Sequence, residues 1–344
     1  MIMNEFNFIY AFIITFILTS LLVKYPISLS FPTNRGLHNQ PIATSGGIAI
    51  FFGISSILFF EFDIDILNLL ILFGVIMLVG SIDDKINLSI LIRFIVQILL
   101  LIIFISLYPS SFVHNLFTIL IFVIISTYFI NIFNFMDGID LLASLQTIFT
   151  LASLLIIFYE VLMVIPYLYE IITFTISSLL SFIIFNKSPA KIFLGNSGSY
   201  LLGFMLLSIF YFIIGDNIYN IYSILIIFTI FLCDSTYTLK ARFITHLFSS
   251  KHQSIYKRIY ESLCILSSPH KTHLYQKLAQ KFISHRRVNL YLMSYNIFWC
   301  FPLALISSKF AEYSILTLIL SYIPYIIWCY SNRAGVLIDN DQYN

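Results

Sequence analysis

The chain has 344 residues, of which 60% are hydrophobic, 17% aromatic and only 10% charged, with a net charge of +2 and a mean hydropathy of +0.96. A water-soluble domain carries roughly 25% charged residues, so an apolar excess of this size must face lipid rather than water. The small net charge also excludes the broad basic face that nucleic-acid binding requires.

Eleven apolar stretches are candidate membrane spans: 6–24, 46–61, 65–81, 88–108, 115–133, 141–158, 167–185, 198–214, 218–235, 289–308 and 311–330. A helix needs about 20 residues to cross a hydrocarbon core of roughly 30 Å. The runs are continuous and do not alternate, which predicts helices rather than an outer-membrane barrel. The expected fold class is therefore all-α: a polytopic membrane bundle of about 10–11 transmembrane helices, read as one domain over residues 1–344 with a long cytoplasmic loop at about 236–288. The first span lacks a basic leader and is followed by further spans, so it is expected to remain in the mature chain. Cys233, Cys264, Cys300 and Cys329 show no paired metal spacing and are expected to be reduced packing residues.

Charge gives the sidedness. With the N-terminus outside, seventeen of the eighteen Lys and Arg residues fall in inner segments and only Lys309 falls outside, the asymmetry expected when inner loops are cytoplasmic. Of the inner acids, Asp83, Asp84, Asp137, Asp140 and Asp234 sit at the ends of apolar helices. An aspartate at mid-bilayer is penalised by about 2.5–3.5 kcal/mol. A shared polar site at the cytoplasmic face accounts for the set better than five unrelated loop ends.

Five inner segments carry the remaining polar chemistry. The first contains Arg35, Gly36 and His38, then Ser45-Gly46-Gly47 at the head of the second span, a loop that could offer donors to an anion. The second is Gly80-Ser81-Ile82-Asp83-Asp84-Lys85, followed by Arg93 and Gln97. Adjacent carboxylates repel, so the pair implies a nearby cation, a carboxyl available as a base, or a capped helix end. In the third, Asn134, Asp137 and Asp140 recur every three residues, which a helical turn, or a turn at Gly138, would bring to neighbouring faces. The fourth runs from Lys191 through Phe193, Gly195, Asn196 and Ser197 to Ser199. It is either a helix N-terminus with free amides for phosphate or one capped by a serine. The fifth, His270-Lys271-Thr272-His273, could grip a diphosphate or decorate a surface.

In this order and on one side of the membrane, the segments GLHNQPIATSGGIAI, GSIDDKINLSILIRFIVQ, NIFNFMDGID, IFLGNSGSYLLGF and HKTHLYQKL resemble the polyprenyl-phosphate sugar-1-phosphate transferase superfamily. That superfamily contains the phospho-MurNAc-pentapeptide translocase and the transferases that initiate O-antigen and teichoic acid synthesis. The likeness spans residues 30 to 330, with HKTHLYQ nearer the O-antigen-initiating branch. It implies transfer of a sugar 1-phosphate, of N-acetylhexosamine type, from a UDP-sugar to a membrane polyprenyl (undecaprenyl) phosphate with release of UMP. It also implies Mg²⁺ or Mn²⁺ as cofactor, a bacterial inner-membrane location with a cytoplasmic site, and a subunit arrangement compatible with a homodimer.

Carried over by motif, Asp83 would deprotonate or orient the acceptor phosphate with Asp84 beside it, and Asn134, Asp137 and Asp140 would line the nucleotide and metal site. Phe193 would stack on uracil, His270 and His273 would hold the diphosphate, and Arg93 and Lys271 would be further phosphate contacts. The metal would lie on Asp137 and on position 196, where this chain has Asn196 in place of the family's usual aspartate. An amide oxygen can still ligate but brings no charge. Leu141 stands where a glycine is usual and Thr44 where a basic residue is common, and the loop between Arg242 and His270 is longer than in relatives. These departures leave a catalytically silent relative as one alternative. A transporter is the other, disfavoured because almost no charge lies mid-span.

Overall fold

The computed structural model describes residues 6–31, 40–249, 254–266 and 270–336. They fall into two compact units, one made of residues up to 31 and from 40 to 224, the other of residues from 225 onward.

The first unit begins with α1 (Phe8–Lys24). A short antiparallel pair, β1 (Leu29–Ser30) and β2 (Ile42–Ala43), leads to α2 (Gly46–Ser55), which ends in a 3-10 turn, Ser56–Phe59. Then come α3 (Ile64–Ile86), α4 (Ile90–Leu107), α5 (Leu116–Phe135), α6 (Leu142–Ile157), the short α7 (Tyr159–Val164), α8 (Pro166–Asn186) and α9 (Gly195–Asp216). The caps follow from sequence: the Asp63 carboxylate accepts from the N–H groups of Asp65 and Ile66 to start α3, Asn115 and Thr118 form a capping box on α5, and Pro166 opens α8.

α9 is the axis of this unit. Its apolar stretch is 83% buried inside the protein, against 28–61% for the other long apolar helices. It packs on α2, α3 and α5. The sequence permits this because glycines and serines interleave with Tyr200, Phe204 and Phe210, so neighbouring backbones can close in while the aromatics fill the gaps. α3 meets α9 at Gly80: a Cβ there would lie 2.4 Å from the Asn196 carbonyl oxygen.

α10 (Asn220–Ile227) carries the chain toward the second unit, which comprises α11 (Thr229–Ser249), α12 (Ile255–Leu266), α13 (Leu274–Phe282), α14 (His285–Tyr295), α15 (Phe301–Lys309) and α16 (Ser314–Ser331). A π-turn, Asn296–Cys300, joins α14 to α15. α11 packs on α12, α13 and α16. The stretch expected as a loop at 236–288 is therefore helical for most of its described length.

Among the described residues seven helices are long and apolar enough to cross a membrane, and the pair α10 and α11, bent by 73°, counts as an eighth if it forms one broken span. The remaining expected spans correspond to the shorter apolar helices Phe8–Lys24, Gly46–Phe59 and Leu142–Ile157. The chain is a multi-pass helical membrane protein. Cys233, Cys300 and Cys329 are buried and free, whereas Cys264 is free and exposed.

The α3–α9 contact can be tested with a methyl group. Gly80→Ala gains about 1 kcal/mol of helix propensity but forces its Cβ against backbone, where overpacking costs about 1–3 kcal/mol. Gly74→Ala, whose Cβ meets only the rim of the Phe51 ring at 3.0 Å, gains the same propensity at little cost. Thermal melting in detergent should show Gly80→Ala less stable than the native protein and Gly74→Ala no less stable.

Candidate active site

The aspartate pair expected in a loop lies instead on the last turn of α3, which runs to Ile86. Its two carboxylates face different partners. Asp83 is buried, and its Oδ1 accepts the Leu88 N–H at 2.7 Å. Its Oδ2 accepts from Arg93 Nη1 at 3.3 Å, the Tyr200 hydroxyl at 3.2 Å and Asn196 Nδ2 at 2.9 Å. Arg93 also donates to the Tyr200 hydroxyl at 3.1 Å, and that hydroxyl meets the Asn134 side chain. One carboxylate thus gathers α3, α4 and α9 through a charge-assisted network.

Asp84 turns to α9. Its Oδ1 accepts the Asn196 N–H at 2.8 Å and its Oδ2 the Ser197 N–H at 3.3 Å. The N-terminus expected to offer free amides to phosphate is occupied at those two groups by a carboxylate from another helix. Neither serine caps it: Ser197 donates back to the Leu194 carbonyl and Ser199 to that of Asn196. Gly195, at φ +73°, makes the approach possible, since a Cβ there would lie 2.6 Å from Asp84 Oδ2.

Asn134 lies in the last turn of α5, and the chain leaves the helix at Met136, so Asp137 and Asp140 sit in a turn and do not continue a helical face. Gly138 is not the left-handed residue of this turn. Leu141 is, at φ +70°, which explains why glycine suits that position. Asn186 of α8 braces it, accepting the Leu141 N–H at 2.9 Å while donating to the Ile192 carbonyl at 2.8 Å. The segment carrying Phe193 is fixed by its own backbone, which donates to the Ala43 carbonyl at 2.8 Å and accepts the Gly46 N–H at 3.1 Å. Phe193 is half-buried.

Asp137 contrasts with Asp83. No described residue donates a hydrogen bond to its carboxylate. Burial, followed by the neighbouring Asp84 and Asp140 carboxylates, pushes its carboxyl well above the usual carboxylate range. A divalent cation would relieve that clustering, and the donors present, carboxylate oxygens of Asp137 and its neighbours, are of the hard type Mg²⁺ prefers. Among the described residues no group of three or more His, Cys, Asp or Glu side chains is arranged to hold a metal ion.

The second unit holds the basic turn. His270 is half-buried and His273 fully buried, and their rings stack at 4.9 Å. Burial, then the charges of His273 and Arg242, pushes the His270 imidazole down to about 3, so it is neutral at physiological pH and not the cation that a diphosphate grip suggests. Lys271 is half-buried in the same turn. Arg35 and His38 lie outside the described residues.

Two residues of these networks escape a motif reading. Tyr200 sits one position beyond the glycine-rich segment, where its hydroxyl looks like ordinary aromatic packing in the sequence. Asp234, one of the inner acids at helix ends, belongs to none of the five motif segments and stands in the apolar run FLCDST.

Residues 66–215, which run from α3 through α9, match the model of glycosyl transferase family 4. The chain is 33% identical to the undecaprenyl-phosphate alpha-N-acetylglucosaminyl 1-phosphate transferase of Thermotoga maritima, over 56% of this chain and 60% of that protein. It is 26% identical to the "probable undecaprenyl-phosphate N-acetylglucosaminyl 1-phosphate transferase" of Bacillus subtilis, over 81% of this chain and 78% of that protein. A shorter stretch, 24% of each chain, is 41% identical to the phospho-N-acetylmuramoyl-pentapeptide-transferase of Streptococcus agalactiae. The chain thus spans less than two thirds of the first of these relatives. The matched stretch contains Asp83, Asp84, Arg93, Asn134, Asp137, Asp140, Phe193 and Asn196, while His270, Lys271 and His273 lie beyond it.

The network makes Asp83 a stability residue. Tyr200→Phe removes one donor from a charged acceptor and should cost roughly 1.5–3 kcal/mol. Asp83→Ala leaves Arg93, whose side chain is 25% exposed, without its carboxylate and should cost about 3 kcal/mol, the low end for a broken buried pair because water reaches the guanidinium. Melting temperatures in detergent should fall in the order native, Tyr200→Phe, Asp83→Ala; an Asp83→Ala protein as stable as the native one would contradict the network.

Proposed function

We propose that the protein transfers a sugar 1-phosphate, of N-acetylhexosamine type, from a UDP-sugar to a membrane polyprenyl phosphate. In this reaction an oxygen of the polyprenyl phosphate bonds to the sugar-linked phosphorus of the donor. The bond from that phosphorus to the bridging oxygen breaks, and UMP departs with that oxygen. The products are polyprenyl diphosphate sugar and UMP, the first membrane-bound step of a cell-surface glycan at the inner face of the bacterial plasma membrane.

The observation that carries the reading is the contrast between the aspartates. Asp83 and Asp84 are held by protein donors at a helix joint, whereas Asp137 is a crowded carboxylate with no donor from any described residue, at the end of an apolar helix. Such a group costs free energy unless a ligand supplies positive charge. The relatives named for undecaprenyl-phosphate N-acetylglucosaminyl 1-phosphate transfer support the same chemistry.

The difficulty of the reaction is bringing two phosphorylated molecules together, since like charges at 4 Å repel by about 4 kcal/mol at an effective dielectric of 20. Mg²⁺ bound at Asp137, with Asp140 and Asp84 near it, would offset that repulsion and polarise the phosphoryl oxygens. Asp83 acts as a positioning residue: it holds Arg93, Tyr200 and Asn196 in place. Asn134 reaches the same network through Tyr200. Phe193, on its braced segment, offers a ring face for the uracil.

A second reading, a silent relative, is favoured by Asn196, whose amide donates to Asp83 where an aspartate would add a third negative group. The test is incorporation of labelled sugar phosphate from a panel of UDP-N-acetylhexosamines into lipid extract by membranes containing the protein. Native protein should give Mg²⁺-dependent product, and Asp137→Asn should lose roughly 10²–10³-fold in kcat/KM. Full activity of Asp137→Asn would remove the assignment. No product from native protein or from Asn196→Asp would establish the silent reading.

A further inference from the structure

α11 carries Asp234 into the interior of the second unit, where the side chain is fully buried. An isolated carboxylate there would be strongly penalised. Five donors surround it. Oδ1 accepts from His273 Nδ1 at 3.0 Å, the Leu274 N–H at 2.9 Å and the Thr238 hydroxyl at 3.2 Å. Oδ2 accepts the Tyr275 N–H at 3.1 Å and the Tyr325 hydroxyl of α16 at 3.3 Å. Leu274 and Tyr275 are the first two residues of α13. One carboxylate therefore caps that helix from a distance and also holds the imidazole that precedes it.

The bond to Asp234 requires a proton on His273 Nδ1. The ring is further held on its faces, by His270 at 4.9 Å and by Tyr275 at 5.6 Å, each tilted by 26°. His273 is only 2% exposed. A side chain buried, stacked and bonded in this way is poorly placed to meet a diphosphate itself. His270, stacked on it, is half-buried. The His270 Nδ1 lies 2.9 Å from the Thr272 hydroxyl and 3.5 Å from the Thr272 N–H, which favours a proton on Nε2. A neutral imidazole in that tautomer presents one N–H donor, suited to an anionic phosphate oxygen.

We infer that Asp234 and His273 are a positioning pair that holds the turn 270–273, and that His270 is the imidazole which donates to the donor's diphosphate. This rests on the transferase reading above. It divides the two histidines, alike in the motif, into a supporting residue and a contacting one.

The experiment uses the full-length protein in membranes, normalised to folded protein, with KM for the UDP-sugar and kcat measured separately. His270→Ala, Asp234→Asn and His273→Ala should each raise KM by about 10-fold with little change in kcat, the order expected for one hydrogen bond to a charged group. In a His270→Ala background Asp234→Asn should add little, because both act on one contact. The deciding variant is His273→Asn, whose amide can place a donor where Nδ1 was but has nothing at Nε2. It should recover KM to within about threefold of native.

Impairment of His273→Asn equal to that of His273→Ala would overturn the inference by making Nε2 a substrate contact, and so would an unchanged KM in Asp234→Asn. If Asp234→Asn fails to fold, the His273→Asn and His273→Ala pair still decides. Failure of the transferase reading is distinguishable, since native protein would then form no lipid product.

Discussion

The last turn of α3 closes on the first turn of α9 through two adjacent carboxylates that point to different partners. Burying either charge alone would be costly. Asp84 is compensated by the open amides of a helix N-terminus, and Asp83 by a guanidinium, a phenol, a carboxamide and a backbone N–H. Because these donors belong to α4, α9 and the turn after α3, the joint sets where each of them lies. Gly80 and Gly195 are its steric counterpart, one letting the helices touch and the other letting the carboxylate reach the amides.

The two units divide the chemistry by donor type. The first holds a cluster of carboxylates, among which Asp137 receives no hydrogen bond from a described residue. The second places the imidazoles of His270 and His273 in the turn before α13, underpinned by the Asp234 carboxylate with its five donors. A buried acid is thus no sign of function by itself. Asp83, Asp84 and Asp234 are costly groups that the fold has paired, whereas Asp137 receives no hydrogen bond from any described residue.

The helices were legible because hydrocarbon-spanning segments are long and monotonous, and a window of hydropathy finds them without knowledge of their neighbours. Their ends were less so. α3 continues past 81 because polar residues on its final turn have tertiary partners, so a change in composition does not mark the end of the helix. The grouping of Asp83, Asp84, Asp137 and Asp140 was visible from topology, but Asp234, expected in the same set, belongs to the second unit and has its own partners. The difference between Asp83 and Asp137 was not visible, since it depends on Arg93, Tyr200 and Asn196. The last two lie more than a hundred residues further along the chain. The left-handed backbone at Leu141 favours glycine and is visible only in the structure, where the Leu141 N–H donates to Asn186. His270 and His273 look equivalent in a string of letters. Depth and the partner on α11 separate them.

The sequence distance within the α3–α9 joint bears on how the chain is made. The Asp84 carboxylate and the Asn196 amide are 112 residues apart, and at a synthesis rate of roughly 5–20 residues per second several seconds pass between the emergence of one and the other. Throughout that interval Asp84 lacks the two α9 amides, whereas Asp83 already has Arg93 and the Leu88 N–H close behind it in the chain. The Asp84 carboxylate must stay hydrated until the most deeply enclosed helix of the unit arrives. Insertion and completion are therefore separate events, and the joint closes only when α9 is in place.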